Sequence, residues 1–231
     1  MARSYIVKRG DTLRKIAKAE LGDADLFPLI AEFNGIRDPE RIFVGQRLEI
    51  PTTRDTQPST PPTVPVSGFD LTPPHGLDAI LETFGNIFDY IRDDGTLDQR
   101  WEADQLLRAP LPYPIPLSWD QTKQVANLYG HKKLRELLPE VFREIERRGL
   151  KTQIRTFGGC FNFRSKRASN KLSVHSWAVA IDLNPETNQM GTPGDMNREV
   201  VEIFKAFGFT WGGDWSGKSK DPMHFQFCSG Y

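Results

Sequence analysis

The stretch Ser-Val-His-Ser-Trp-Ala-Val-Ala-Ile-Asp, residues 173–182, is the most informative part of the chain. It places His175 seven residues before a carboxylate, Asp182, in a run rich in apolar residues. A second segment, Asp-Pro-Met-His-Phe at residues 221–225, holds another carboxylate and another imidazole. Two imidazoles and one carboxylate are a usual ligand set for a catalytic zinc, and the spare carboxylate can then move protons. The pattern predicts metal-assisted hydrolysis.

Strand periodicity is compatible with one shared site. In a strand over residues 178–182, Asp182 would share its face with two alanines. Because seven is an odd offset, the chain must bend around Ser176 and Trp177 for His175 to reach the same ion. A strand over residues 224–228 would carry His224 on one face and phenylalanines on the other. Spacing alone leaves open that the histidines are ordinary buried residues and that Asp182 caps the following turn.

A proline-rich segment divides the chain. Residues 52–66 contain four prolines and no aromatic residue. This composition predicts a semi-extended linker with roughly 45 Å of reach. We therefore expect one domain over residues 1–51 and a second over residues 67–231.

The first domain is predicted to be a β-α-α-β unit. A short strand at residues 5–7 leads to a turn and a helix with Leu13 and Ile16 on one face. A second helix ends at Asn34-Gly35, and residues 43–51 return as a strand.

These residues resemble the LysM family throughout, most clearly in Gly10-Asp11-Thr12-Leu13 and in the segment 44–51. The resemblance implies binding to glycans that contain N-acetylglucosamine, usually bacterial peptidoglycan, in a shallow groove. The positions that would line this groove are Gly10, Asp11, Thr12, Leu13, Asn34, Gly35 and Ile36. Gly10 and Asn34 are equally compatible with turn residues that make no ligand contact.

The second domain is predicted to be α+β. One helix starts at His75, a longer one spans residues 134–149, and a third is capped by Asp195 and ends at Gly208. Pro139 should bend the longer helix or mark a first turn. The predicted strands are residues 153–157, 160–164, 178–182 and 224–228. Helices and strands without regular alternation favour a mainly antiparallel sheet with flanking helices.

The segments 173–182 and 221–225 resemble the zinc peptidases of peptidoglycan that include VanX, VanY and phage L-alanyl-D-glutamate endolysins. The resemblance implies a hedgehog/D,D-peptidase-like fold in which His175, Asp182 and His224 bind Zn²⁺. It further implies that Asp221 is the catalytic base and acid. Arg164, for which a plain surface charge is the alternative, would stabilise the oxyanion.

Two residues depart from the family pattern, and several others have expected supporting roles. Ala178 stands where the family usually has glycine, and Gln226 stands where many members have glutamate. Ser173 is expected to support His175 through a hydrogen bond. The wall of the substrate cleft is expected to consist of Trp211, Asp214 and Trp215. For the two tryptophans, burial in the core is the alternative.

The remaining histidines and the cysteines are expected to be structural. His75 should lie at a helix start and His131 on a helix face. Cys160 and Cys228 are too few for a disulfide framework. Buried free thiols are expected, and a single bridge between them remains open.

Composition excludes several classes of protein. Lys+Arg and Asp+Glu both number 30, so the net charge offers no argument for nucleic acid or an anionic membrane as partner. No apolar run is long enough to span a bilayer, and the start lacks a secretory signal. We expect a monomer made in the cytoplasm that reaches the bacterial cell wall after holin-type release.

The sequence thus favours a modular, endolysin-like peptidoglycan hydrolase. The expected bond is L-alanyl-D-glutamate, because aspartate rather than glutamate at position 221 and the missing secretory signal favour that type within the family that the segments resemble. A D-alanyl-D-alanine carboxypeptidase of the same family is the first alternative. A wall-binding protein without catalytic activity is the second.

Overall fold

The computed structural model describes residues 3–22, 24, 27–34, 36, 39, 41–50, 69–166 and 170–231. The chain divides into two compact units, residues 1–63 and 64–231. The predicted linker, residues 52–66, lies outside the described residues, and so does Gly35. No helix among the described residues is long and apolar enough to cross a membrane.

The first unit has the predicted β-α-α-β order. Its elements are β1 (Arg3–Ile6), α1 (Leu13–Leu21), α2 (Phe27–Phe33) and β2 (Arg47–Ile50). The strands are antiparallel, with Tyr5 opposite Leu48. Thr12 caps α1 by accepting a hydrogen bond from the backbone N–H of Lys15, which satisfies one of the free donors at the helix start.

The second unit contains a six-stranded sheet with helices packed against it. The elements are α3 (Gly76–Phe84), α4 (Gln99–Gln105), β3 (Leu106–Leu117), β4 (Asp120–His131), α5 (Leu137–Arg147), β5 (Phe157–Gly159), β6 (Ala180–Leu183), α6 (Arg198–Ala206), β7 (Thr210–Trp211) and β8 (His224–Gln226). The strand order is β4-β3-β5-β6-β8-β7. Among the strand pairs of this sheet in the described residues, only the short contact between β3 and β5 is parallel. The α+β prediction with a mainly antiparallel sheet is confirmed.

Aromatic packing fixes β8 in the middle of this unit. Phe225 is fully buried and stacks on Phe204 of α6, with 4.2 Å between the ring centroids. Phe204 in turn contacts Phe142 of α5 edge-to-face at 6.0 Å. Because side chains alternate along a strand, anchoring Phe225 in the core turns the neighbouring residues His224 and Gln226 to the opposite face.

The structure corrects the predicted starts of two helices. Helix α5 begins at Leu137, so Pro139 lies in its first turn, where its missing N–H costs no hydrogen bond. Helix α6 is capped by Asn197, whose side-chain oxygen accepts hydrogen bonds from two backbone N–H groups. Asp195, the predicted cap, forms an ion pair with Arg155 instead.

The strand predictions at residues 153–157 and 160–164 are wrong. Residues 151–153 form a 3₁₀ turn, and the observed strand β5 covers only residues 157–159. The backbone N–H groups of Arg155 and Thr156 donate to the side-chain oxygen of Asn184 rather than to a strand partner. The amide of Asn184 thus replaces part of a sheet ladder.

A long hairpin, β3–β4, was not anticipated. Strand β3 contains prolines at alternate positions, Pro110, Pro112, Pro114 and Pro116. Proline cannot donate to a strand ladder, so this pattern argues against a strand. The structure accommodates the prolines because β3 is not paired continuously with β4. Residues 106–110 pair with β4, the pairing is then interrupted, and it resumes at Ile115. His131 is the last residue of β4 and not part of a helix face.

Candidate metal centre

Strand register brings two of the predicted ligands together. Asp182 of β6 lies directly opposite His224 of β8 in the antiparallel ladder. Directly opposed residues of neighbouring strands hold their Cβ atoms about 5 Å apart. The sheet itself therefore positions this carboxylate and this imidazole for a shared contact.

The third predicted ligand comes from a tight turn before β6. His175 lies in a 3₁₀ turn over residues 174–177. Ser173 caps this turn, because its hydroxyl accepts a hydrogen bond from the backbone N–H of His175 at 3.4 Å. The turn ends at Ala178, whose φ of 55° and ψ of 37° are left-handed. This is the expected bend. Only glycine adopts such angles without steric cost. The left-handed angles at Ala178 therefore agree with the glycine that the resemblance leads us to expect at this position.

The three side chains converge on one point. The Nε2 atom of His175 lies 3.2 Å from Nδ1 of His224 and 3.3 Å from Oδ2 of Asp182. The Nδ1 atom of His224 lies 3.0 Å from Oδ1 of Asp182. Tetrahedral zinc with bonds of about 2.0–2.1 Å has ligand atoms about 3.3 Å apart. These residues therefore fit a tetrahedral zinc ion with little rearrangement.

Hydrogen bonds at the far side of each ring determine which nitrogen faces this point. The Nδ1 atom of His175 lies 2.8 Å from the carbonyl oxygen of Cys160. The Nε2 atom of His224 lies 3.0 Å from the side-chain oxygen of Gln226. Both oxygens are acceptors, so these nitrogens carry hydrogen. The lone pairs of the other nitrogens are left for a metal.

Electrostatics favour the ionised carboxylate. Burial of the Asp182 carboxyl opposes ionisation, but the adjacent rings of His175 and His224 outweigh it and lower its pKa. Burial likewise opposes protonation of His224, but its hydrogen bond to Asp182 outweighs this and raises its pKa. A carboxylate that is ionised at neutral pH is in the state that metal binding requires.

The three side chains line a cavity of about 500 Å³ together with Asp221. The N–H of Asp221 donates to the carbonyl of Gly212, 2.8 Å. A Cβ atom at Gly212 would lie 2.5 Å from the carbonyl oxygen of Asp221, so the close approach requires glycine. The indole N–H of Trp211 holds the next residue, Pro222, through its carbonyl at 2.8 Å.

Of the predicted cleft residues, Trp215 lines this cavity and the other two do not. The ring of Trp211 stacks on buried Phe225, so it supports the Asp221 loop from behind. Asp214 is exposed and forms an ion pair with Lys205 at 2.9 Å. The structure thus brings Trp215 to the cavity and places Trp211 and Asp214 outside its lining.

Arg164 and Ser173 also line the cavity. The carbonyl of Arg164 accepts hydrogen bonds from the N–H of Ser173 and the hydroxyl of Ser176, at 2.8 and 3.2 Å. This fixes the backbone from which the exposed guanidinium extends. Ser173 supports His175 through the backbone, and the imidazole itself is held by the carbonyl of Cys160.

Several predicted glycan-binding residues of the first unit have structural contacts. Leu13 is 1% exposed and belongs to the core of the unit. The Asn34 side chain bonds to the carbonyls of Ile30 and Glu49 and to the N–H of Glu49, at 2.7–2.8 Å. Asp11 accepts hydrogen bonds from the Tyr5 hydroxyl and the Lys8 N–H.

The other groove positions differ in exposure. Thr12 is exposed at the start of α1, Gly10 is exposed with a φ of +87°, and Ile36 is half-buried against the core. Gly35 lies outside the described residues. Among the described groove positions, Gly10 and Thr12 are thus the exposed ones.

Sequence reasoning missed the two groups that orient the imidazoles. The carbonyl of Cys160 carries no sequence signal. Gln226 carries one, because it lies two residues after His224 and therefore on the same strand face. Cys160 and Cys228 are free, buried thiols. Burial raises the pKa of both, that of Cys228 to about 12, so they remain protonated at neutral pH.

A family model matches part of each unit. Residues 5–51 match the LysM domain, and residues 166–227 match the family described as D-alanyl-D-alanine carboxypeptidase. The predicted architecture of a LysM module followed by such a peptidase domain is confirmed. The second match includes His175, Asp182, Asp221 and His224, whereas Arg164 lies two residues before it. The two matches support a peptidase that binds peptidoglycan.

Similar proteins share only a short segment. Esterases of two Mycobacterium tuberculosis strains, CDC 1551 and H37Rv, are each 56% identical over 46 residues, which is 20% of this chain and 10% of the esterase. An uncharacterised protein of Deinococcus radiodurans is 47% identical over 47 residues, or 20% of this chain and 19% of that protein. The chain thus spans about a tenth of the length of the esterases it matches. No solved structure matches.

Proposed function

We propose that this chain is a metal-dependent peptidoglycan hydrolase that cleaves the L-alanyl-D-glutamate bond of the stem peptide. The first unit would bind wall glycan and hold the enzyme on its substrate. The observation that carries the proposal is the convergence of His175, Asp182 and His224 beside Asp221 in one cavity. The family matches support the same class of activity.

The metal site would consist of Nε2 of His175, Nδ1 of His224 and a carboxylate oxygen of Asp182. A zinc ion held there would supply Lewis acidity and lower the pKa of a water molecule to about 7. The donor set of two nitrogens and one oxygen is typical of catalytic rather than structural zinc, because it leaves one position open.

Asp221 is proposed to move the protons of the reaction. It lines the cavity with the three ligands, and its negative charge is close enough to contribute to the raised pKa of His224. Its carboxylate would accept a proton from the attacking water and then deliver it to the leaving amine. The guanidinium of Arg164 would offset the negative charge that develops on the carbonyl oxygen of the substrate.

The family matched by residues 166–227 favours a second candidate, a D-alanyl-D-alanine carboxypeptidase. Both reactions would use the same metal site and the same Asp221. They differ in the bond that the cavity accepts, and therefore in the products. Asp221 favours the first candidate, because the resembling endolysins have an aspartate where carboxypeptidases have a glutamate.

Mass spectrometry of fragments from purified sacculi separates these candidates. New D-glutamate amino termini that appear with zinc and disappear with chelator are the expected result. Release of free D-alanine from otherwise intact stem peptides would instead establish the carboxypeptidase. Absence of any product with zinc supplied would favour a wall-binding protein.

The reaction needs a carboxylate control. Asp221→Asn should slow product formation by about 10²–10⁴-fold, whereas Glu140→Gln should not slow it, because Glu140 is half-exposed on α5 and paired with Arg143. Equal activity of Asp221→Asn and the parent protein would refute the proposed proton transfer.

A further inference from the structure

We propose that Gln226 is a positioning residue that fixes the ring of His224 with Nδ1 toward the metal. The inference rests on the metal site of the proposed function but not on the bond that is cleaved. The two imidazoles of the site are held in different ways. A backbone carbonyl, that of Cys160, orients His175, so no substitution there removes the acceptor. A side chain orients His224.

The orientation of the Gln226 amide is determined by its second contact. Its Nε2 atom donates to the carbonyl oxygen of Cys228 at 3.1 Å. A carbonyl only accepts, so the NH₂ end of the amide must face Cys228 and the oxygen must face His224. That oxygen lies 3.0 Å from Nε2 of His224. Hence Nε2 must carry a hydrogen, and Nδ1 is the nitrogen that faces Asp182.

Burial makes this arrangement costly to change. Gln226 is 4% exposed and His224 is 6% exposed, so both partners are buried although they border the cavity. A flipped amide would oppose NH₂ to the ring N–H and oxygen to the Cys228 carbonyl. Both contacts would become repulsive, and a buried polar group without a partner costs about 1–3 kcal/mol.

The same geometry explains why glutamine stands here rather than glutamate. A glutamate could accept from Nε2 of His224 with one oxygen. Its other oxygen would face the carbonyl of Cys228 and lose the hydrogen bond that the amide makes there. Glutamine satisfies both neighbours, because it offers one acceptor and one donor group. The residue at this position is therefore fitted to two partners on one face of β8.

Zinc affinity of the full-length chain tests the proposal. Gln226→Leu should weaken zinc binding about 10–100-fold in a competition titration against a chelator, the usual effect of losing the partner of a ligand histidine. Gln226→Glu keeps the acceptor. Its increase in the logarithm of the zinc dissociation constant, relative to the parent, should be at most half of the increase in Gln226→Leu. Gln124→Leu, the same change at an exposed position of β4, is the matched control and should bind zinc like the parent.

A spectroscopic measurement separates positioning from mere structural support. In ¹⁵N-labelled, zinc-loaded protein, His224 should give an Nε2–H signal that exchanges slowly with water. This signal should persist in Gln226→Glu and disappear in Gln226→Leu. If Gln226→Leu does not fold, the signal of the parent protein and the affinity of Gln226→Glu still decide the question.

Three results would overturn the inference. They are parental zinc affinity in a folded Gln226→Leu variant, equal losses in both Gln226 variants, or a parental His224 ring with its hydrogen on Nδ1. Failure of the parent protein itself to bind zinc would overturn the metal site as well. Normal zinc binding with no peptidase activity would overturn only the proposed function.

Discussion

Acidification should destabilise the second unit through His131, a buried histidine away from the metal site. His131 ends β4 and is 1% exposed. Its Nε2 atom lies 2.9 Å from the carbonyl of Phe84, and its Nδ1 atom accepts from the N–H of Lys133 at 3.2 Å. The neutral ring with hydrogen on Nε2 satisfies both contacts. A second proton, on Nδ1, would face another N–H donor.

Burial lowers the pKa of His131 from its ordinary value of 6.5 to about 4. Between these values the unfolded chain binds a proton that the folded chain does not. Stability from this group is therefore complete above pH 6.5 and is lost as the pH falls toward 4. At about 1.4 kcal/mol per pKa unit, the full effect is about 3 kcal/mol, of which about 2 kcal/mol is lost by pH 4.5.

Urea unfolding followed by tryptophan fluorescence measures this loss in the second unit alone. All five tryptophans of the chain lie in that unit. The parent protein and His131→Gln are compared at pH 7 and pH 4.5 after treatment with chelator. His131→Gln should be less stable at pH 7, because it loses the edge-to-face contact with Phe84. The gap should narrow by about 2 kcal/mol at pH 4.5.

An unchanged gap between the two proteins at pH 7 and pH 4.5 would refute this reasoning. Comparison of two proteins cancels the titration of the other histidines and carboxylates, which both share. If His131→Gln is too unstable to measure, the ring proton resonances of His131 in the parent protein report the same quantity. A midpoint near 6.5 instead of 4 would contradict the assignment.

Three further predictions concern other contacts. Asp221→Asn should slow sacculus hydrolysis by about 10²–10⁴-fold and leave the zinc dissociation constant unchanged, and a parallel loss of zinc would assign Asp221 a metal-binding role. Gly212→Ala should slow hydrolysis and lower the stability of the second unit in urea by about 1–3 kcal/mol, because the added methyl group would displace the loop of Asp221. Full activity of this variant would show that the loop can move. Asn34→Ala removes two hydrogen bonds to Glu49 of β2 and one to Ile30 of α2, and it should cost the first unit about 2–3 kcal/mol. The Tyr5 ring resonances during thermal unfolding measure this cost, and an unchanged transition would refute a structural role.

Periodicity anticipated the ligand-bearing strands because their faces are determined locally. Alternation placed Asp182 and Ile181 on opposite faces of one strand, and His224 and Phe225 on opposite faces of the other. The odd offset of His175 required a bend, and Ala178 supplies it with left-handed backbone angles. These features follow from a few neighbouring residues, so one sequence is enough to derive them.

Features that depend on distant partners could not be derived. The β3–β4 hairpin has prolines at alternate positions of β3, which locally argue for an extended segment without a partner. The register that sets Asp182 against His224 depends on pairing between strands 42 residues apart. The sequence left two roles open for Trp211, the cleft wall and the core, because aromatic residues occur in both. In the structure Trp211 stacks on the buried ring of Phe225, a contact that one sequence does not reveal.

The strand ladder between β6 and β8 bears on how an ion would enter the proposed metal site. Small zinc domains fold only around their metal, so metal binding and folding are one step. Here the ladder and the buried Phe225 hold Asp182 and His224 opposite each other through atoms that would not touch the ion. We therefore expect zinc to bind to a chain that is already folded. The binding rate should scale with the free zinc concentration, and the circular-dichroism spectra of chelator-treated and zinc-supplied protein should superimpose.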